Sequence, residues 1–285
     1  MAARPTTRFA PSPTGYLHLG HAHSALLARR AAREAGGRFL LRIEDIDRTR
    51  CRPEFTAAIL EDLTWLGLEP DGPVRVQSAH FREYGAALDS LASRGLLYPC
   101  FCTRAEIARE VAAIGAAPHG PAHGPDGPLY PGTCRRLAPE ERAARIAEGQ
   151  PYALRLDMAA ALAAAGGPLT YEEVGEGRLR CDPARFGDAV LARKDTPASY
   201  HLCVTHDDAL QGVTLVTRGE DLRPATDLHR LLQALMGWPE PAYSHHPLLL
   251  GPDGRRLAKR DGARSLREMR AAGLDAAAVR ALAGG

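Results

Sequence analysis

Lysine is nearly absent from this chain. Of its 36 basic residues only Lys194 and Lys259 are lysines, and the rest are arginine. Arginine serves wherever a generic positive charge suffices, so a lysine that persists marks a place suited to a compact ammonium and not a planar fork. No stretch approaches the roughly 18 apolar residues of a membrane span. The opening MAARPTTRFAPSP lacks the apolar region of a secretory signal, so a cytoplasmic location without membrane contact is expected. Cysteine is too sparse and irregular for a disulfide framework. Cys51, Cys181 and Cys203 are scattered, whereas Cys100, Cys102 and Cys134 flank a Gly/Pro/His stretch, the pattern of a metal cluster beside ordinary buried thiols. The net charge is only +2, so total charge does not announce a nucleic-acid partner. Its distribution is less even: Arg255 to Arg270 holds seven basic residues against Asp261 and Glu268, a solvated face or a surface for phosphates.

What is present reads as a soluble α/β protein. At 285 residues, 45% hydrophobic and 25% charged, the chain suffices for one large domain or two ordinary ones. RFAPSP is a short extended segment, and HAHSALLARRAAREAGG a helix closed by Gly36-Gly37. RFLLRIED is a buried strand, PEFTAAILEDLTWLGLEP a helix, and HFREYGAALDSLASRGLLYPCFCT a helix followed by a strand. This alternation predicts a parallel sheet. Residues 115–133, dense in Gly, Pro and His, read as a loop. Residues 151–158 and 169–180 read as strands of an antiparallel insert, with a helix in MAAALAAAGG between them. From Asp188 to Leu222 the chain reads as strand runs and turns, and ATDLHRLLQALMGW is helical. The expected organisation is therefore a catalytic half over 1–96, an inserted module over 97–187, and a second half over 188–285 that carries the basic loop and a short C-terminal helical segment.

Two strings carry the chemistry. In RFAPSPTGYLHLGH a turn delivers His18-Leu19-Gly20-His21 to a helix start. Free N–H groups there attract phosphate, Gly20 lets a ligand approach the backbone, and two imidazoles three residues apart can stabilise charge developing on an α-phosphate. Two capping or buried histidines give the same letters. In RLAKR, Lys259 on a loop after a turn can meet phosphates as a point charge, or merely belong to a solvated basic loop. Glu44-Asp45-Ile46-Asp47 ends a strand; Asp45 and Asp47 are expected to cap the next helix in preference to holding Mg²⁺.

Together the strings resemble a known family. PSPTGYLHLGH resembles the HIGH motif of class I aminoacyl-tRNA synthetases, and RLAKR their KMSKS motif. RFAPSPTGYLHLGHAHSAL, LLRIEDIDRTR and LVTRGEDL resemble the glutamyl branch. The resemblance implies a Rossmann-like parallel sheet with an inserted zinc-binding α+β module, and a ligase that forms an adenylate from L-glutamate and Mg-ATP. It places Arg8, Ala10, Ser12, Glu44, Tyr200 and Arg218 around glutamate, with His18, Gly20, His21 and Lys259 at ATP. By charge, the two arginines suit the carboxylates, Glu44 the ammonium, and Tyr200 and Ser12 supply hydroxyls. His18, His21 and Lys259 are the expected catalytic residues. Arg256 and Ala258 depart from KMSKS, which touches the behaviour of that loop more than activity. Few residues follow Lys259, too few for an anticodon-binding domain. A core of this kind resembles the glutamyl-Q tRNA(Asp) synthetases, which load glutamate onto the queuosine base in the anticodon stem-loop of tRNA(Asp). A truncated enzyme charging a tRNA 3′ end, or a non-catalytic tRNA-binding paralogue, are the alternatives. For the cysteine cluster, zinc chemistry allows His119 or His123 as fourth ligand beside Cys100, Cys102 and Cys134; the family's CxC…YxxxC pattern points to Tyr130. The metal would pin the insert without joining the chemistry. A monomer is expected.

Overall fold

The computed structural model describes residues 4–115, 123–249 and 264–284. The chain begins β1 (Thr6–Phe9), α1 (Leu19–Glu34), β2 (Arg38–Ile43), α2 (Pro53–Trp65), β3 (Arg75–Val76), α3 (Phe81–Ser93) and β4 (Leu97–Cys100). It continues through α4 (Arg104–Gly115), a ribbon of β5 (His123–Gly124) and β6 (Gly127–Pro128), α5 (Pro139–Ala147), β7 (Ala153–Leu156), α6 (Met158–Ala165) and a hairpin of β8 (Thr170–Glu173) and β9 (Gly177–Arg180). Then follow β10 (Val190–Ala192), α7 (Tyr200–Leu210), β11 (Leu215–Gly219), α8 (Ala225–Met236), β12 (Ala242–His246), α9 (Leu266–Ala271) and α10 (Ala276–Leu282). Among the described residues no helix is long and apolar enough to cross a membrane.

Strands β1, β2 and β3 pair in parallel. So do β11, β12 and β8, with β9 antiparallel at the edge. The two sheets meet at β1 and β11, where Thr214 N–H donates to the Thr6 carbonyl (3.0 Å) and Thr6 N–H donates to Thr214 Oγ1 (2.9 Å). From β1 the chain winds through α1 to β2 on one side, and from β11 through α8 to β12 on the other. The direction of winding therefore switches between β1 and β11. Open parallel sheets bind ligands at such a point, beyond the carboxyl ends of the strands. A third sheet, antiparallel, joins β10, β7 and β4. Segment 97–187 is thus shared between two sheets: β7 pairs with β4 and β10, while β8 pairs with β12.

Alanine lets α1 lie close to the sheet: Ala22, Ala25, Ala28 and Ala32 are buried with Leu26. The turn after it has no room for a side chain, since a Cβ on Gly37 would stand 1.9 Å from the Pro5 carbonyl oxygen. One apolar cluster gathers Phe39, Leu41, Ile59 and Leu63 with Leu266 and Val279 of the C-terminal helices. A second lies under α3, α6, α7 and α8 and includes Tyr84, Leu91, Leu202 and Leu231.

Two expectations are corrected. Residues 200–210, read as strand and turn, form α7, which starts where Ser199 accepts from the Leu202 N–H. This helix buries His201, Thr205, Asp207 and Asp208 as well as Leu202, Cys203 and Val204, so no polar face marks its 3.6-residue period. Asp45 and Asp47 do not cap α2, whose N-cap is Arg52 without a side-chain bond. Asp45 instead accepts from the backbone and hydroxyl of Ser78 (2.8 and 2.6 Å), and Asp47 from Thr49 and Arg50 in a local turn. Within 115–133, the described residues carry the β5–β6 ribbon.

Candidate active site

A cavity of about 470 Å³ opens at the switch point, between the carboxyl ends of β1 and β11 and the start of α1. Arg8, Ala10, Ser12, His18, Gly20, His21, Glu44, Tyr200 and Arg218 all line it. Of the residues expected at the glutamate and nucleotide sites, Lys259 lies outside the described residues, as do Arg256 and Ala258.

At the α1 end the two histidines cap the helix for each other. His18, the N-cap, accepts at Nδ1 from Gly20 N–H (3.1 Å), and His21 Nδ1 accepts from His18 N–H (3.2 Å). Their rings lie 3.9 Å apart. Both Nδ1 atoms act as acceptors, so each neutral ring carries its proton on Nε2. Gly20 takes part in this cap as well as lining the cavity. A Cβ there would meet the His18 ring at 3.1 Å, so glycine makes room for the cap, and its N–H serves His18. The acid-free first turn of α1 still favours an anion. The chain beyond Lys259 returns to this place: His18 bridges to Ser265, and Leu266 N–H donates to the Leu17 carbonyl (2.8 Å).

The other end is built from arginine. Arg8 donates from Nε to Asp208 (3.0 Å) and from Nη1 to the Thr217 carbonyl (3.3 Å), which leaves Nη2 without a protein partner among the described residues. Arg42 is wholly buried between Asp208 (2.8 Å) and Glu44 (3.2 Å). Asp207 anchors the back of this network through Arg75, Gln77 and Tyr84, each within 2.9 Å. Burial raises the Glu44 carboxyl against the pull of Arg42 and Arg8. Burial also acts on Asp208, but Arg8 and Arg42 outweigh it and hold that carboxyl below its ordinary value.

Arg218 differs. It is 5% exposed, yet among the described residues it has no carboxylate partner. Its Nε donates to His245 Nε2 (3.2 Å), Nη1 to His229 Nδ1 (3.3 Å) and Nη2 to Thr226 Oγ1 (2.7 Å). Burial, then Arg218 itself, pushes His229 well below the ordinary histidine range and His245 down to about 4, so both rings stay neutral. The Tyr200 hydroxyl has no protein hydrogen bond among the described residues. The cavity thus presents a fixed, uncompensated guanidinium on a lining that also carries Arg8, Glu44 and a phenol, an arrangement able to receive a carboxylate.

A second cavity of about 1190 Å³ shares Ser12, Thr14, Glu44 and Tyr200 with the first, and its wall carries Arg50, Arg104, Arg155, Arg193 and Lys194 together with Asp47, Asp126 and Asp195. Lys194 donates to the Phe101 carbonyl (2.6 Å), which ties this wall to the cysteine cluster. The sulfurs of Cys100, Cys102 and Cys134 lie within 4.8 Å of one another and form no disulfide. The Tyr130 hydroxyl stands 3.3 Å from Cys102 Sγ and accepts from Cys134 N–H (2.8 Å), with the Arg155 guanidinium 4.0 Å over its ring. Burial and the neighbouring thiols push this phenol up. His123 is exposed and does not join the cluster; His119 lies outside the described residues. Three thiols and a phenol gathered in this way suit a soft or borderline cation.

Arg42, Asp207, Asp208, His229 and His245 were missed by sequence reasoning. An arginine inside the apolar run FLLRIE and the paired acids in THDDAL were the available signals.

A switch-point cavity with a histidine-capped helix on one side and arginines on the other is a class I synthetase arrangement. Residues 5–283 match the tRNA synthetases class I (E and Q), catalytic domain, and the chain belongs to that family. Within it, the chain is 49% identical over 285 residues to the glutamyl-Q tRNA(Asp) synthetase of Rhodobacter capsulatus, covering 98% of this chain and 99% of that protein. It is 49% identical over 275 residues to the protein of the same name from Symbiobacterium thermophilum, covering 93% of this chain and 81% of that one. A glutamate tRNA ligase from Elizabethkingia meningosepticum, crystallised in complex with its amino acid, superimposes with a TM-score of 0.76 at 32% identity, over 91% of this chain and 53% of that one.

Proposed function

We propose that this chain activates L-glutamate with Mg-ATP and transfers the glutamyl group to the queuosine base in the anticodon of tRNA(Asp). The observation that carries the first half is the buried, carboxylate-free Arg218 beside Arg8 and Glu44. The likeness to the glutamyl-Q tRNA(Asp) synthetases supports the second half.

In this reading Arg218 and Arg8 hold the carboxylates, Glu44 the ammonium, and Tyr200 and Ser12 offer hydroxyls. An oxygen of the α-carboxylate attacks the α-phosphorus, the bond to pyrophosphate breaks, and pyrophosphate leaves. Positioning and charge stabilisation dominate such a step. His18 and His21 meet the α-phosphate with their Nε2–H groups, fixed in orientation by the capping box, and Lys259 follows the departing phosphates. An acceptor hydroxyl then attacks the glutamyl carbonyl and AMP leaves. The anticodon stem-loop enters through the second cavity, which opens onto the same Glu44 and Tyr200.

Cys100, Cys102, Cys134 and Tyr130 would hold zinc as a structural ion. Segment 97–187, which carries them, acts as the acceptor-facing module between halves 1–96 and 188–285. The enzyme works in the cytoplasm as a monomer.

The test is isotope exchange between pyrophosphate and ATP. Exchange that requires glutamate, and that slows markedly in Lys259→Ala without loss of thermal stability, is the expected result. No glutamate-dependent exchange overturns the reading.

A further inference from the structure

Arg218 is the first link of a hydrogen-bonded line that leads out of the cavity. Arginine only donates, so the bond from its Nη1 makes His229 Nδ1 an acceptor and places the His229 proton on Nε2. That N–H points to His201 Nδ1 (3.1 Å), which in turn puts the His201 proton on Nε2. The last N–H reaches Asp126 Oδ2 (2.9 Å). Each link has one donor and one acceptor, and the arginine sets the direction. His229 on α8 and His201 on α7 are buried, with the Tyr200 ring 5.2 Å from one and 5.8 Å from the other. Asp126 is exposed at the turn of the β5–β6 ribbon. It also lies on the wall of the second cavity.

We propose that Asp126, His201 and His229 are positioning residues that couple the ribbon to the carboxylate-binding Arg218. The inference rests on the glutamate-activating reading above. Asp126 holds the His201 proton on Nε2. Without that acceptor His201 admits the other tautomer, whose Nδ1–H would face the N–H of His229 donor to donor. His229 then turns, and Arg218 loses a bond that holds its fork. Glutamate affinity is in this way set partly by a turn some distance from the substrate, on the face offered to the acceptor.

The experiment measures glutamate-dependent pyrophosphate exchange in the full chain for the wild type, Asp126→Ala and Asp126→Asn. Thermal midpoints are recorded alongside. Asp126→Ala is expected to raise the KM for glutamate about five-fold, the size of one net hydrogen bond, while the KM for ATP stays within about two-fold. Asp126→Asn keeps an acceptor oxygen and restores most of the glutamate affinity. An unchanged glutamate KM in Asp126→Ala overturns the proposal. So does an equal rise for glutamate and ATP, or the same defect in Asp126→Asn. A wild type that shows no glutamate-dependent exchange is a separate result, which removes the functional reading and the proposal with it.

Discussion

Arg218 and His245 meet through Nε and Nε2 at 3.2 Å, and the opposite ring nitrogen of His245 lies 2.7 Å from Glu173. Glu173 fixes the tautomer of an imidazole that orients the arginine without neutralising it. Arg8 and Arg42 are treated differently, since both pair with Asp208. Burying a cation without an anion is costly. On the proposed reading the substrate carboxylate supplies the missing charge at Arg218.

Arg218→Lys tests this directly. An ammonium cannot reproduce bonds from Nε, Nη1 and Nη2 and still meet a carboxylate. The expected outcome is a glutamate KM raised about thirty-fold or more, in line with losing a buried charged hydrogen bond, and an ATP KM within about two-fold of the wild type. Equal glutamate KM values in the two proteins would show that Arg218 does not hold substrate.

Acid should loosen the same place. Burial and Arg218 put His245 at about 4 in the folded chain, opposed by Glu173, whereas an unfolded histidine titrates near 6.5. A depressed histidine contributes stability that is present above about 6.5 and is lost as pH falls toward about 4, because the unfolded chain takes up the proton first. His245→Gln keeps an acceptor for Arg218 and removes the titration. Between pH 6.5 and 4 the thermal midpoint of the wild type should fall more steeply than that of His245→Gln. Parallel curves would contradict the assignment.

The cysteine cluster predicts about one zinc per chain by elemental analysis. Cys102→Ser and Cys134→Ser should lose it. Tyr130→Phe should retain metal but release it to a chelator more readily, since three sulfurs remain. Equal retention in Tyr130→Phe and the wild type would exclude the phenol as a ligand.

Away from the cavity, Asp62 on α2 is buried, and its Oδ2 has no partner among the described residues. Burial raises it to about 6, and Arg270, which would offset this, pairs with Glu61 at 2.6 Å. A raised carboxyl favours the fold below its unfolded value near 3.9 and loses that contribution as pH rises through about 6. Asp62→Asn should therefore melt above the wild type at pH 8, with the gap closing toward pH 4. A gap that does not vary with pH would refute the burial argument.

The strand, turn and helix around RFAPSPTGYLHLGH were legible because they are local: the string carries its own turn, cap and helix. The nine expected residues that line the cavity come from short segments at strand and helix ends, where such motifs are readable. The network behind them was not legible. Arg8 meets Asp208 across 200 positions and Arg42 meets it across 166, and no local pattern predicts such a pairing. Asp208 also lies on α7, whose burial on every side hides its period. The contact between Gly20 and the His18 ring was hidden for a related reason: a string of letters does not show which way a ring turns.

Glutamate transfer to queuosine is read directly from where a label comes to rest. The decisive measurement supplies labelled glutamate and ATP with bulk tRNA from cells that make queuosine and from cells that cannot, then locates the label by digestion. Label is expected only in the queuosine-containing tRNA, within the anticodon loop. Label at the 3′ end of both tRNA samples would overturn transfer to queuosine.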